Sequence, residues 1–346
     1  MRFIKNIIKY IVAGITATII LSVILSFYFC WSGHIANKLG NTDYVWPANS
    51  IWMKMNEGIA WGRFDANGFN NLEVIDNPDV IILGSSHMEA AFLMQDENVG
   101  YLLGEKLKDE YTVYNMGISG HNFFKISQYL PNNLTLYDNS PEFTIMETST
   151  VDLTNESVDE VIQSSVEYTP SYTKGIMVEI QKSPFFRLLY RQIQEGLFDL
   201  FMPEKKAAEA KADSIQIKME ETIDDIDVNA YNRLFKYLSD LQKKYGTNII
   251  IFYHPTEQLN PDGSIEFEND KSLEIFSQTA EEYGIKFINM ADDFEKMYYE
   301  EHHVPHGFIT GRLGAGHLNK YGHAAVADAL YDAIKELEED KSHADD

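Results

Sequence analysis

The hydrophobic pattern opens with three cations, Arg2, Lys5 and Lys9, followed by an uncharged run from Tyr10 to Gly33. Ile11, Val12, Ile15, Ile19, Ile20, Leu21, Val23, Ile24, Leu25 and Phe27 fill that run. A helix rises about 1.5 Å per residue, so roughly 20 apolar residues cross a bilayer. The pattern predicts a membrane anchor over 10–32 behind a short tail over 1–9. The leading cations would hold that tail in the cytoplasm and send the rest of the chain outside. Tyr28 and Trp31 suit the far interface. A cleaved signal peptide is the rival reading. The run is longer than the apolar core of such a peptide, and no small-x-small cleavage site follows, so an uncleaved anchor is expected.

Between 33 and 75 the period is lost. Trp46, Trp52, Trp61, Phe64 and Phe69 are scattered among polar residues and glycines. This stretch is expected to be a connector packed on the domain, with an aromatic sugar-binding surface as the alternative. From 76 to 346 strands and helices alternate. Short buried strands are predicted over Asp79–Leu83, Tyr111–Asn115, Phe143–Glu147, Asn248–Tyr253 and Ile285–Met290. Helices are predicted over Met88–Lys108, Phe123–Leu130, Tyr231–Tyr245, Ser272–Tyr283 and Ala324–Leu337. In Tyr231–Tyr245, Leu234, Tyr237, Leu238 and Leu241 share one face. Alternation of this kind implies a parallel sheet covered on both faces, with reactive groups at the carboxyl ends of its strands. Residues 155–227 break the rhythm. A helical run around Phe185–Phe201 and a charged stretch from Glu204 to Asp227 read as a helical insertion, either a lid or a solvated decoration.

Composition narrows the classes. The chain has 346 residues, 45% of them hydrophobic and 13% aromatic, enough for a sizeable core. Its formal net charge of −25 repels phosphate backbones, so no nucleic-acid partner is expected. The one cysteine, Cys30, lies in the apolar run, so no disulfide forms within the chain.

Three blocks carry candidate chemistry. Val80-Ile81-Ile82-Leu83 runs into Gly84-Ser85-Ser86-His87, where a helix begins. A serine at such a turn exposes its hydroxyl at the sheet edge, and the first helical N–H groups beside it can hold an oxyanion. A plain helix cap is the bland alternative. His317 lies in Gly314-Ala315-Gly316-His317-Leu318-Asn319, just before the last helix, where it can reach the serine and take its proton. Asn115-Met116-Gly117-Ile118-Ser119-Gly120 follows the second strand, and a glycine there can aim a bare N–H at the same point. His254, after the fourth strand, either contacts substrate or bonds structurally. His302, His303 and His306 fit no strong zinc spacing and have no cysteine near them, so a polar rim is expected, with no metal and no other cofactor. His323 is expected to pack at the start of the last helix.

Taken together, these blocks resemble the SGNH (GDSL-like) hydrolase superfamily from Asp79 to the end, insertion excepted. The resemblance implies a three-layer α/β/α sandwich with a five-stranded parallel sheet in flavodoxin-like order. It implies Ser86 as nucleophile, with Ser85 in place of the usual aspartate, Gly120 as oxyanion donor and His317 as base. Two features depart from the pattern. Gly314 stands where the aspartate orienting the histidine is usual, leaving a backbone carbonyl or an acid from elsewhere for that task. The family's asparagine after the third strand is not visible in Glu147-Thr148-Ser149-Thr150-Val151-Asp152. Ser149, Thr150, Asn122 and His87 are the candidate replacements. The implied function is a serine esterase or O-acyltransferase acting on O-acetyl groups of cell-envelope or extracellular carbohydrate. Two alternatives stay open: a glycan-binding module without turnover, and an accessory subunit of a membrane O-acyltransferase.

Overall fold

The computed structural model describes residues 2–26, 34–37, 39–54, 57–163, 226–267, 271–309 and 311–344. Two compact units divide the chain: 1–33 with 173–226, and 34–172 with 227–346. The expected helical run at 185–201 and the charged stretch up to 225 lie outside the described residues, as do Tyr28, Cys30 and Trp31.

In the first unit, helix α1 spans Arg2–Ser26. Its stretch Ile4–Leu25 has 22 residues and a mean hydropathy of 2.2. Ile8, Ile11, Val12, Ile15 and Ile19 are all exposed, so the apolar character is not confined to one stripe. Length and composition allow this helix to cross a bilayer, a property that a signal sequence shares.

The second unit begins with two hairpins where the sequence shows no period: β1 (Ile35–Ala36) with β2 (Tyr44–Val45), and β3 (Ile51–Lys54) with β4 (Ala60–Arg63). Trp52, Phe64 and Phe69 are buried, and Trp46 stacks on Phe64 with centroids 5.0 Å apart. Trp61 alone of the five scattered aromatics is exposed. Packing thus accounts for four of them.

Next come β5 (Val80–Leu83), α2 (Ser86–Glu89), α3 (Val99–Leu107), β6 (Val113–Asn115), α4 (Phe123–Leu134), β7 (Phe143–Thr148) and α5 (Asn155–Gln163). After 226 the chain forms α6 (Val228–Tyr245), β8 (Asn248–Tyr253), the hairpin β9 (Glu257–Leu259) and β10 (Ile265–Phe267), and α7 (Lys271–Glu282). It ends with β11 (Lys286–Asn289), α8 (Ala291–Lys296) and α9 (Lys320–Ala344). The main sheet has the order β11-β8-β7-β5-β6 and is parallel throughout. Its five strands therefore lie in the order 2-1-3-4-5, as the resemblance implies.

Every residue of β5 is buried, which explains its unbroken apolar run: a central parallel strand has no solvent face. Alternate residues serve opposite layers. Val80 and Ile82 join Leu103 and Leu107 of α3 and Val326, Leu330 and Ile334 of α9 in one core. On the other face α4 packs on β7 and α6 on β8, while Phe276 of α7 meets the rings of Phe123, Tyr231 and Phe235.

Two helical boundaries differ from expectation. The single helix predicted over Met88–Lys108 is broken into α2, a 3₁₀ turn at Gln95–Glu97 and α3. Ala90, with φ 51°, ends α2 in the left-handed region, and the Asn98 side chain caps α3 by accepting the Tyr101 N–H at 3.0 Å. The last helix starts at Lys320 rather than Ala324, because the Asn319 side chain accepts the N–H groups of Tyr321 and Gly322.

Trp52 tests whether the hairpin segment is structural. Trp52→Ala empties a fully buried site and is expected to cost about 3–5 kcal/mol. The urea midpoint of the purified protein measures this. A midpoint unchanged from the parent would show that the hairpins are an independent appendage.

Candidate active site

β5 delivers Ser86 to the carboxyl edge of the sheet. Ser85 serves as the cap of α2, its hydroxyl accepting the His87 N–H at 3.2 Å, so Ser86 is free of that duty. His317 Nε2 stands 2.8 Å from Ser86 Oγ. The residues are 231 apart in sequence and are joined only by the closure of the fold.

An acid from elsewhere fills the place left by Gly314. Glu57, in the turn of the β3–β4 hairpin, accepts from His317 Nδ1 at 2.7 Å and from its backbone N–H at 3.2 Å. With the ring's proton on Nδ1, Nε2 presents its lone pair to the serine hydroxyl. Phe92 stacks on the imidazole at 4.2 Å and 28°, fixing the plane of the ring. Glu57 is half-buried, and burial pushes its carboxyl up. The hydrogen bond and charge of His317, helped by Lys54, outweigh that and leave it below the ordinary range. Nothing local marks Glu57 in the sequence, since its turn follows no motif and lies 260 residues before its partner.

The glycine block reaches the same edge through a second glutamate. Glu89, buried at the end of α2, accepts from Ser119 N–H at 2.9 Å, Ser119 Oγ at 2.7 Å and Trp46 Nε1 at 2.9 Å. From the other side the Tyr44 hydroxyl donates to Ser119 O at 2.7 Å. Gly120 follows with φ +89°, and an added Cβ would lie 2.6 Å from that hydroxyl, so only glycine fits. Among the described residues the N–H groups of Ser86 and Gly120 donate no hydrogen bond.

Four suggested substitutes for the missing asparagine donor, and His254, are placed as follows. Asn122 caps α4 by accepting the Lys125 N–H at 3.0 Å. Thr150 accepts the Asp152 N–H in a local turn, and Ser149 is exposed beside it. No hydrogen bond joins these three to Ser86 or His317 among the described residues. His87 Nδ1 accepts the Leu318 N–H at 3.1 Å, and its ring centroid lies 4.9 Å from that of His317. His254 is buried, with Nε2 2.8 Å from Glu147 Oε1, and faces inward rather than toward a substrate. Of the remaining histidines, His303 stacks on Tyr321 at 3.6 Å, His302 ends a π turn with φ 60°, and His306 is buried against Glu257. His323 is fully buried in the first turn of α9, where its Nδ1 accepts the Val99 N–H at 3.1 Å and so caps α3.

His87, His254 and His306 each bring one nitrogen within 4.8 Å of the others, a spacing that a metal ion could use. The tautomer of His87 opposes it: a neutral ring that accepts at Nδ1 carries its proton on Nε2 and has no lone pair left to ligate. His87 therefore enters this cluster as a donor.

No protein-family model matches the chain, and no curated protein matches it. Among solved structures it is similar to the acetyl xylan esterase AlAXEase, at 14% identity, covering 74% of this chain and 99% of that one, with a TM-score of 0.38. It is similar to the psychrotrophic esterase EstA from Pseudoalteromonas sp., at 16% identity over 76% and 100% of the two chains, TM-score 0.39. It is also similar to a catalytic mutant of Axe2, an acetylxylan esterase from Geobacillus stearothermophilus, at 14% identity over 75% and 95%, TM-score 0.39.

The buried histidines make stability depend on acid. Burial, followed by neighbouring imidazoles, holds His87 well below its ordinary range and His323 down to about 3. Burial also lowers His306, against the opposing pull of Glu257. The unfolded chain takes up these protons near its ordinary value of about 6.5, before the folded chain does. Stability is therefore complete above that value and is lost as pH falls below it. His323 alone accounts for a loss on the order of 2 kcal/mol between pH 7.5 and 5. Urea unfolding at the two pH values should show this fall, and His323→Gln should flatten it. An equal slope in the variant would remove His323 from the account.

Proposed function

We propose that this chain is a serine esterase of SGNH type that cleaves O-acetyl esters of carbohydrate outside the cytoplasm. The observation that carries the reading is the continuous path from the Glu57 carboxylate through His317 to Ser86, with contacts of 2.7 and 2.8 Å. Ser86 Oγ attacks the ester carbonyl carbon while His317 Nε2 takes its proton, and the Glu57 carboxylate stabilises the imidazolium that forms. The N–H groups of Ser86 and Gly120 hold the oxyanion. As the carbonyl re-forms, the alcohol leaves with the proton from His317, and the acyl group remains on Ser86. His317 then deprotonates water, which attacks the acyl carbon. The bond from that carbon to Ser86 Oγ breaks, His317 returns the proton to Oγ, and the acid leaves. A sugar hydroxyl in place of water would give O-acyl transfer by the same steps.

The proposed site of action is supported by the apolar helix α1. As an uncleaved anchor with Arg2, Lys5 and Lys9 on the cytoplasmic side, it would put the catalytic residues among envelope or secreted glycans. The bilayer is then a partner only through α1.

Fluorophosphonate labelling and hydrolysis of p-nitrophenyl acetate test the assignment. The parent protein should label on Ser86 and turn over the ester. Ser86→Ala and His317→Ala should lose labelling, with at least a 10³-fold fall in kcat. Glu57→Gln should keep the nucleophile but lower kcat by roughly 10²–10⁴, because His317 loses its fixed tautomer. Folded parent protein that neither labels nor hydrolyses would overturn the proposal.

A further inference from the structure

The nucleophile turn is gripped from beneath by a group that the acyl-transfer steps do not use. Glu147, at the end of β7, is buried and receives both the backbone N–H and the hydroxyl of Ser85, the latter at 2.8 Å. Its Oε1 also receives His254 Nε2 at 2.8 Å. Gly84 permits this grip, since a Cβ there would lie 2.6 Å from Glu147 Oε2.

The same arrangement is repeated at the other catalytic loop. Glu257, buried in β9, accepts from the backbone N–H of His306 at 3.1 Å and from its Nδ1 at 2.5 Å. His306 pairs with Leu318 in an antiparallel bridge, and the Gly307 N–H donates to His317 O at 2.9 Å. His254 Nδ1 and His306 Nε2 face each other at 3.4 Å. His87 closes the figure, one residue from Ser86, by accepting the Leu318 N–H, one residue from His317. Two hydrogen-bonded sets, Ser85–Glu147–His254 and Glu257–His306, thus meet where the two imidazoles pack with centroids 5.6 Å apart. The second set leads to the segment that bridges the His317 loop. With each ring's proton held by its carboxylate, the facing nitrogens are both acceptors, so the step between the rings is a packing contact.

We propose that Glu147 is a positioning residue that acts through Ser85, and that the packing of its partner His254 against His306, itself held by Glu257, keeps the Ser86 turn and the His317 loop in register. The inference rests on the esterase reading above. Buried carboxylates that hold several donors at once fix one geometry, because any slip leaves a polar atom unpaired in a low dielectric. Substrate binding would not feel Glu147; the approach of Ser86 to His317 would.

The experiment is a double-mutant cycle on p-nitrophenyl acetate turnover, with urea unfolding of each variant. Glu147→Gln keeps shape but presents an amide to Ser85 and His254. It should lower kcat at least ten-fold with KM within two-fold. Ser85→Ala should lower kcat in the same sense and, although the lost α2 cap lowers its midpoint, should remain folded in buffer, so the test survives if Glu147→Gln does not fold. The double variant should lose no more than Glu147→Gln alone, because one residue acts through the other. Glu257→Gln should show the same kcat-only loss and be non-additive with Glu147→Gln. Unchanged kcat in Ser85→Ala or Glu147→Gln, additive losses, or a stoichiometric metal ion that is lost with His254→Ala would overturn the proposal. A parent protein without labelling at Ser86 would instead bring down the esterase reading itself.

Discussion

A neutral imidazole carries one proton for two nitrogens, and it can serve as a base toward Ser86 only if that proton is kept at Nδ1. Glu57 does this for His317, at 2.7 Å from the ring and 3.2 Å from the backbone N–H of the same residue. Two contacts to one residue fix the tautomer and the position of the loop together. Everything around them serves that fixed ring: Phe92 beneath its plane, Ser86 at its free nitrogen, and a hairpin stiffened by buried Trp52 to carry the acid.

Three loops with no sequence continuity meet at this point, and each is held by its own glutamate. Glu57 holds the histidine loop, Glu89 the glycine loop and Glu147 the serine turn. A carboxylate is suited to this because it accepts several hydrogen bonds at once and so ties a backbone N–H and a side chain of one segment to another. Such groups are costly when buried unless every donor is in place, so they tolerate only one arrangement of the loops. Described residues of the two hairpins take part as well, since Tyr44, Trp46 and Glu57 all touch the loops that meet at Ser86 or their supports. This segment is a wall of the site as much as a connector.

The sheet was legible because its strands are buried on both faces. Val80–Leu83 and Ile249–Phe252 admit almost no polar residue, and the helices between them keep a 3.6-residue period. The candidate residues were legible by their order, Ser86 after the first strand, Gly120 after the second and His317 before the last helix. Glu57 was not, because its partner is 260 residues away and its surroundings follow no period. Glu89 and Glu147 sat in plain sight beside the motifs, but a glutamate ordinarily reads as a solvated charge until its neighbours are known. The break after Ala90 was hidden for a similar reason: buried Met88, Ala91 and Leu103 mimic helical spacing although the chain between them turns.

The sequence by itself determined the parallel α/β architecture, the apolar helix near the amino end, and the places of Ser86 and His317 in the loops after the first strand and before the last helix. These are local matters, set by burial periodicity and by where turns fall along the chain. Tertiary structure alone decided which acid orients His317, why Ser85 rather than Ser86 caps α2, and that His254 turns inward to Glu147. Those choices depend on hydrogen-bond partners distant in sequence, and a chain acquires such partners only when its layers close around them.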